Sequence, residues 1–491
     1  MSSTSVPKLT STHWLIIIIA SIGFLFDTYE LLMTPLTAPP AIAELLGIDM
    51  THPDVTLWTG RLLWMTALCG GIFGLIGGKL TDVLGRKFVM AASIFVYSAS
   101  PFCAAYSTSL GMFIFFRCLT FIGVCVEFIA AITWLAEVFE DKHQKEKWLG
   151  ITQAFASLGG LLVTGINVWI LSHMKDLPAM GLPVASSWRY LLMTGILPAI
   201  PIALMLPFVP ESKVWKEKKA AGLLKRASIG QLFAPELRRV TIVTAVLSAC
   251  AYGIAFGALQ VTPLRIAPGL PELADTSKKM APLRKQAAEL AVAVSKAAPD
   301  SPEQAEAKTK LAAVKAEMAP LDKEVKAVGN KVQFYQEMGG LVGRILLAVL
   351  IMVGLSRVAL LKVFQVPALI LLPLTYLSLF TAGGSNFMWA YALCGLVTVA
   401  QFSYFGEYLP KVFPMHLRGT GGSFATNVGG RMIGTSMAFV TTNLVAPMIS
   451  GDPTKILPMH LAKAAGYVGL GIAVVALIVG MFLPEPKAEQ N

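Results

Sequence analysis

The sequence predicts an all-α membrane protein: twelve transmembrane helices in two six-helix halves, with an external helical hairpin between the seventh and the eighth. Three observations predict it. Of 491 residues 55% are hydrophobic and 14% charged, against the roughly 25% charged of soluble domains. Apolar runs long enough to cross a hydrocarbon core of about 30 Å recur along nearly the whole chain. A charged stretch, 210–239, divides six such runs from six, as a duplicated six-helix unit would.

The first half, 1–209, carries expected spans at 14–34, 56–78, 88–106, 110–138, 148–173 and 188–209. The second half, 240–491, carries them at 240–261, 335–355, 359–381, 388–412, 419–444 and 461–483. No small-residue cleavage site follows the first apolar run, so that span is expected to be retained. The six cysteines fall within apolar runs without metal-ligand spacing and are expected to be buried free thiols.

Short connections after even-numbered spans hold the basic residues: Arg86 and Lys87, then Lys142, Lys145 and Lys147, then Lys213 to Arg239, then Lys411 and Arg418. Connections after spans 1, 3 and 9 hold none, and those after 5 and 11 only Lys175 and Lys455. Both termini are therefore expected in the cytoplasm, with the chain in the cell (inner) membrane. The net charge of +11 then reports topology and contact with anionic lipid, not nucleic acid.

The connection 264–332 is too long for an idle loop. Met280, Leu283, Ala287, Leu290 and Val294 alternate three and four apart, as do Leu311, Val314, Met318, Leu321, Val325, Val328 and Val332. That is heptad spacing. Between the runs Ser301 reads as an N-cap, Pro302 as the first helical residue and Gln304 as the closing side of a capping box. The expected product is an antiparallel hairpin outside the membrane, its second helix continuous with span 8, acting as a lid or docking a partner.

After span 2 comes Gly77-Gly78-Lys79-Leu80-Thr81-Asp82-Val83-Leu84-Gly85-Arg86-Lys87. Its glycines permit close helix approach, Asp82 can face a helix N-terminus or a base, and Arg86 and Lys87 anchor the loop. This resembles the loop motif of the major facilitator superfamily. Arg117, Gly123, Glu127 and Glu137 of span 4, Pro210-Glu211-Ser212-Lys213-Val214-Trp215, and the segment from Glu407 through Leu417-Arg418-Gly419-Thr420-Gly421 to Arg431 are similar to that superfamily's sugar porter and metabolite:proton symporter branch. The resemblance implies the major facilitator fold, alternating access, and a gating role for Gly78, Asp82, Gly85, Arg86 and Lys87. Two departures stand. Span 4 has Phe121, Cys125 and Val126 where the branch prefers Gly, and the 8-to-9 loop Gly354-Leu355-Ser356-Arg357 lacks an acid, which puts symmetric gating in doubt. No Walker lysine motif is present, so ATP is not the expected energy source.

Charges inside spans cost roughly 2.5–3.5 kcal/mol on insertion scales and should face a cavity or a partner. Asp27 lies about 20 Å along span 1 from the basic side and Arg117 about 10 Å along span 4 from the other, at about 1.5 Å per residue. In a core about 30 Å thick those depths coincide. An Asp27–Arg117 pair is the expected proton switch, supported by resemblance to proton-coupled relatives, with a plain structural ion pair as the other reading. Glu30, one turn on, resembles the paired acid of organic-acid and phosphate symporters; Glu127 either passes the proton inward or pairs with a loop base. Arg344 and Arg431 also sit near mid-depth. An anionic solute would complete them, or they cap carbonyls or pair across the halves. Tyr29, Gln153, Asn167, Tyr252, Gln260, Asn386, Gln401, Tyr404 and Asn427 are candidates for the rest of the cavity lining.

The expected function is secondary active transport, as proton-coupled symport of a small organic anion by a monomer without cofactor or metal. Sugar or polyol is the runner-up, although Ala249-Cys250-Ala251-Tyr252-Gly253 lacks the paired glutamines of sugar porters. Phosphate comes third, and a non-transporting receptor or sensor of the same fold is the alternative from another class. No nucleophile and base pair suggests an enzyme.

Overall fold

The structure is a computed structural model and describes residues 9–50, 52–139, 142–197, 199–222, 228–296, 301–453 and 455–485. Among them the regular structure is entirely helical. The helices are α1 Ser11–Leu46, α2 Pro53–Leu84, α3 Arg86–Ala104, α4 Leu110–Val138, α5 Lys142–His173, α6 Ser187–Phe208, α7 Arg238–Gly269 and α8 Ala274–Lys296. They continue as α9 Pro302–Val353, α10 Arg357–Ala382, α11 Gly384–Val412, α12 Arg418–Ser450 and α13 Pro458–Gly480.

Among the described residues 11 of these are long and apolar enough to cross a membrane. In α5 the apolar part is the shorter Leu158–His173. Outward-facing positions carry large apolar side chains, among them Phe95, Leu204, Ile370 and Trp389. Such a surface suits lipid, where a helix satisfies its own backbone polar groups. The chain is an integral membrane protein. Cys103 shares that outer surface and is exposed, Cys69 and Cys118 are partly exposed, and Cys125, Cys250 and Cys394 are buried as expected. An apolar run does not tell its lipid face from its protein face, which is why Cys103 was misjudged.

Several spans run past the expected bounds, the second to Leu84 and the seventh to Gly269, and three differ from the expected form. The first continues past 34 through Pro35, Pro39 and Pro40 to a left-handed Gly47 (φ 66°). Buried neighbours re-satisfy the backbone that a proline frees, so proline alone does not end a helix inside a bundle. The sixth is broken by short 3-10 turns at Thr194–Ile196 and Leu206–Phe208. In α12, Phe424–Gly434 is π-helical, a local widening that turns the following side chains to new directions.

Each half has its own core. One cluster gathers Leu247, Leu347, Phe364, Tyr391 and Tyr404 from the second half, and two others gather Phe24, Ile94 and Trp134, or Tyr29, Phe113 and Leu191, from the first. A small cluster, Leu63 with Tyr252, Ala255, Phe256 and Ala438, bridges them. The rest of the junction is close helix contact, of α2 with α12 and of α5 with α9.

Helices α8 and α9 form an antiparallel pair. Met280, Val314 and Met318 are buried between them, flanked by Leu283, Ala287, Leu290, Leu321 and Val325. Thr276 near the start of α8 donates to Glu324 (2.8 Å), and Gln304 at the start of α9 donates to Val294 O (3.3 Å). The Ser301 hydroxyl accepts from Gln304 N (3.2 Å), but the reciprocal half of the capping box is not formed: the side-chain oxygen of Gln304 accepts from Lys308 Nζ (2.9 Å) while its amide N–H reaches α8. Helix α9 runs unbroken from Pro302 into the eighth span. The pair touches the first half where Arg284 lies 3.9 Å from Asp49 and Asn167 donates to Asn330 (3.1 Å), and beside it Arg265, near the end of α7, donates to Met50 O (2.7 Å). Met280 is fully buried, and Met→Ala at such a site costs about 2–5 kcal/mol. Met280→Ala is therefore expected to speed amide exchange of α8 at least tenfold while leaving exchange in the spans unchanged.

Candidate functional site at the seam between the halves

Helix α2 of the first half lies along α12 of the second, with glycines on the contact face. A Cβ on Gly78 would come 2.5 Å from Ser423 Cβ and 2.8 Å from Gly419 O, and one on Gly74 would come 2.7 Å from Asn427 Nδ2. Only glycine admits that approach.

At the end carrying the basic loops the expected gating residues come together. Asp82 accepts from Thr420 N (3.2 Å) and Thr420 Oγ1 (3.0 Å) at the start of α12, a carboxylate against a helix N-terminus, and lies 3.7 Å from Arg86. Arg86 holds Glu137 of α4 in a two-pronged pair (2.8 and 3.0 Å). Glu211 accepts from the backbone of Arg86 (3.0 Å) and Lys87 (3.0 Å), and Lys87 Nζ donates to Val209 O (2.7 Å). Gly85 turns here at φ 107°, against Glu211. The second half repeats this latch without the missing loop acid: Arg357 pairs with Glu407 (3.1 Å) and its backbone N donates to Glu485 (2.9 Å). That repeat stays within its own half, whereas Asp82 crosses the seam.

Further from the basic end lie the buried charges, and here the pairing differs from expectation. Arg117 faces Glu30 (3.7 Å), not Asp27, and donates to Glu30 O (3.2 Å) and to Thr34 Oγ1. Asp27 is bridged by Arg431 of the other half (2.9 and 3.2 Å). Arg431 also donates to Val124 O (2.8 Å) and Asn427 Oδ1 (3.3 Å) and stacks its guanidinium over Phe128 at 5.1 Å. Of the two readings given for Arg431, the structure shows the pairing across the halves with carbonyl capping in place of a waiting solute site: an acid, a carbonyl and an aromatic face of the first half hold it. Depth along a helix does not fix direction around it. Asp27 faces the seam, and the π-helical stretch of α12 aims Arg431 into the first half. Glu127 is fully buried beside Gly23, one turn from Asp27; among the described residues neither of its carboxylate oxygens has a hydrogen-bond partner.

A cavity of about 80 Å³ lies at the seam, with Asp27 and Thr28 of α1, Ser248, Tyr252 and Gln260 of α7, and Gln336, Glu337 and Arg344 of α9 in its wall. Arg344 is in that wall, and Tyr252 and Gln260 join it. Glu337 is an acid that the sequence reading overlooked. It lies just inside the expected start of span 8, where the charged hairpin runs into apolar sequence. It accepts from Gln333 (2.8 Å) and Gln336 (3.1 Å), and its other oxygen lies where any Cβ on Gly160 of α5 would be.

The remaining candidates are elsewhere. Tyr29 OH bonds Thr194 and Asn427 donates to Cys125 O (2.9 Å); neither lines the cavity. Gln401 donates to Val397 O of its own helix (2.9 Å), and Tyr404 stacks on Tyr408 (5.4 Å) inside the second core. A polar residue in an apolar span can serve its own helix as readily as a solute. The side chain of Gln153 lies outside the described residues.

Comparison with known proteins adds the following. The family model described as Major Facilitator Superfamily matches residues 13–283. The niacin transporter NiaP of Acinetobacter baylyi is 22% identical over 205 residues, 41% of either chain. The 4-hydroxybenzoate transporter PcaK of the same organism is 28% identical over 232 residues, 46% of either chain. The chain thus spans under half the length of these curated relatives. The partially occluded inward-open structure of the xylose transporter XylE from E. coli superposes with a TM-score of 0.63 at 14% identity, covering 98% of this chain and 100% of that one.

Proposed function

The chain belongs to the Major Facilitator Superfamily, and from that premise we propose that it is a proton-coupled symporter of a small organic anion, working by alternating access. One observation carries the reading: a single seam cavity has both Asp27 and Arg344 in its wall. A carboxylate solute suits the Arg344 guanidinium. Asp27 borders the same space, so a proton placed there is felt by solute and seam together. Protonated Asp27 would loosen its hold on Arg431 and so free the halves to rock; Glu127, close by, is available to receive the proton on its way to the basic end. Glu30 and Arg117 hold α1 to α4 and act as a positioning pair.

The volume of about 80 Å³, at roughly 10–15 Å³ per water, suits a small solute. The solutes named for the two relatives, niacin and 4-hydroxybenzoate, are single-ring carboxylates, which supports the anion. The amides of Gln260 and Gln336 in the cavity wall favour a second reading, a neutral polyol or sugar. In this reading the basic loops face the cytoplasm, both termini lie there, the α8–α9 pair stands outside the cell membrane, and the protein works as a monomer.

Counterflow in proteoliposomes with carboxylates, polyols and phosphate tests the choice. Carboxylate flux is expected, falling at least tenfold in Arg344→Ala with a raised KM. Polyol flux that survives Arg344→Ala, without carboxylate flux, would remove the anion reading.

A further inference from the structure

The segment 264–332 takes no part in the seam chemistry, yet it walls a second cavity. That cavity, about 1490 Å³, opens at the end opposite the basic loops, between α9 on one side and the last turns of α1 and α5 on the other. Helix α9 brings four lysines to it: Lys315, Lys323, Lys326 and Lys331. The acids of the facing wall are already engaged. Glu44 accepts from Arg189 (2.9 Å) and Trp188 Nε1 (2.9 Å), and Asp49 is met by Arg284 (3.9 Å). The four ammonium groups therefore face Asp322 as the remaining lining acid. Asp322, one turn before Lys326 on α9, interacts with it and offsets one of the four charges, so that on the α9 side of the cavity four lysines face one acid.

The two cavities are stacked along one helix. Asn330 and Phe334 line the outer one, and Glu337 in the wall of the inner one follows Asn330 by about 10 Å of α9 at about 1.5 Å per residue. The contacts of α7, α8 and α9 with the first half at Met50, Asp49 and Asn167 keep the lysine face turned over the space instead of swinging free.

The geometry points to an outer antechamber: a site for small organic anions in which Lys315, Lys323, Lys326 and Lys331 form a positive wall that gathers solute before it reaches the seam cavity. This rests on the anion reading above. A concave wall of one sign raises the local concentration of the opposite charge and its rate of arrival, and loses that effect as salt screens it.

The potential can be read apart from transport. Ala327, an exposed lining residue, is replaced by Cys, and its reaction rates with an anionic (sulfonatoethyl) and a cationic (trimethylammonioethyl) methanethiosulfonate are compared in intact cells, against the unsubstituted chain. With the lysines present, the anionic-to-cationic rate ratio is expected to exceed that of the fourfold Lys→Gln set by on the order of tenfold at low salt, and the two should converge near 0.5 M salt. In proteoliposomes the Lys→Gln set is expected to raise KM for 4-hydroxybenzoate about fivefold and to flatten its salt dependence, while the matching Lys→Arg set keeps both. Lys308→Gln with Lys310→Gln, outside the cavity wall, should change neither. Equal rate ratios with and without the lysines overturn the antechamber even if carboxylates are transported. A shifted ratio in a chain that takes up no carboxylate overturns the anion reading instead, and the antechamber's role with it.

Discussion

Asp27→Asn is expected to abolish accumulation of solute against its gradient while leaving counterflow measurable within a few-fold. Asparagine keeps the shape and can still accept from Arg431, so the seam still forms, but it can neither carry a proton nor release the arginine by taking one up. One proton per solute across one pH unit is worth about 1.4 kcal/mol, or tenfold accumulation, and that ratio should fall to one. Accumulation equal to the wild type would sink the coupling role. Arg431→Ala should do different damage. It strands Asp27, buried in the seam, and breaking a buried pair from one side costs about 3–5 kcal/mol. A lower unfolding temperature and loss of both modes of transport are expected. Asp27→Asn with Arg431→Gln should recover part of the stability but no accumulation, because it removes the stranded charge without restoring the switch.

That prediction depends on a pairing that was only half legible in the sequence. The buried charges were identified by composition alone, since any Asp, Glu or Arg in such apolar runs must have a partner or a cavity. Which partner depends on direction around the helix. Arg117 and Asp27 share a depth, but Glu30, three residues on, presents its carboxylate to α4, while Asp27 faces α12. The π-helical turn Phe424–Gly434 shifts Arg431 off any direction that a 3.6-residue period gives. Glu337 was legible and missed, because it stands where hairpin and span merge. The basic-end residues were grouped by the resemblance, which names Gly78, Asp82, Gly85 and Arg86 together; that Gly78 and Asp82 meet α12, far along the chain, is a long-range contact that no local pattern specifies. The hairpin's heptads did predict which side chains meet, as Met280, Val314 and Met318 do.

Gly78→Val is expected to trap the basic end open. A Cβ there meets Ser423 Cβ at 2.5 Å and the Gly419 carbonyl at 2.8 Å, and the branched methyls of valine reach further. The side chain of Ser423 could shift, but the carbonyl belongs to α12 and moves only with the helix. Overpacking of this kind costs about 1–3 kcal/mol. Because α2 and α12 belong to different halves, the molecule can avoid the cost by keeping the seam apart at this end, without unfolding either core. At about 1.4 kcal/mol per tenfold, the closed state loses roughly one to two orders of magnitude in population. Transport should fall at least tenfold with unfolding temperature nearly unchanged, and a cysteine introduced at Ser423 should react faster with a thiol reagent supplied from the basic side. Two glycines separate this from a general effect of bulk. Gly111, which faces open space, should tolerate Ala without loss of uptake. Gly159 lies against the Leu25 carbonyl within the first half, so Gly159→Ala should lower stability instead of biasing the cycle. If Gly78→Val lowers stability as Gly159→Ala does, and leaves the Ser423 position no more reactive, the α2–α12 contact is a fixed part of the fold and not a gate.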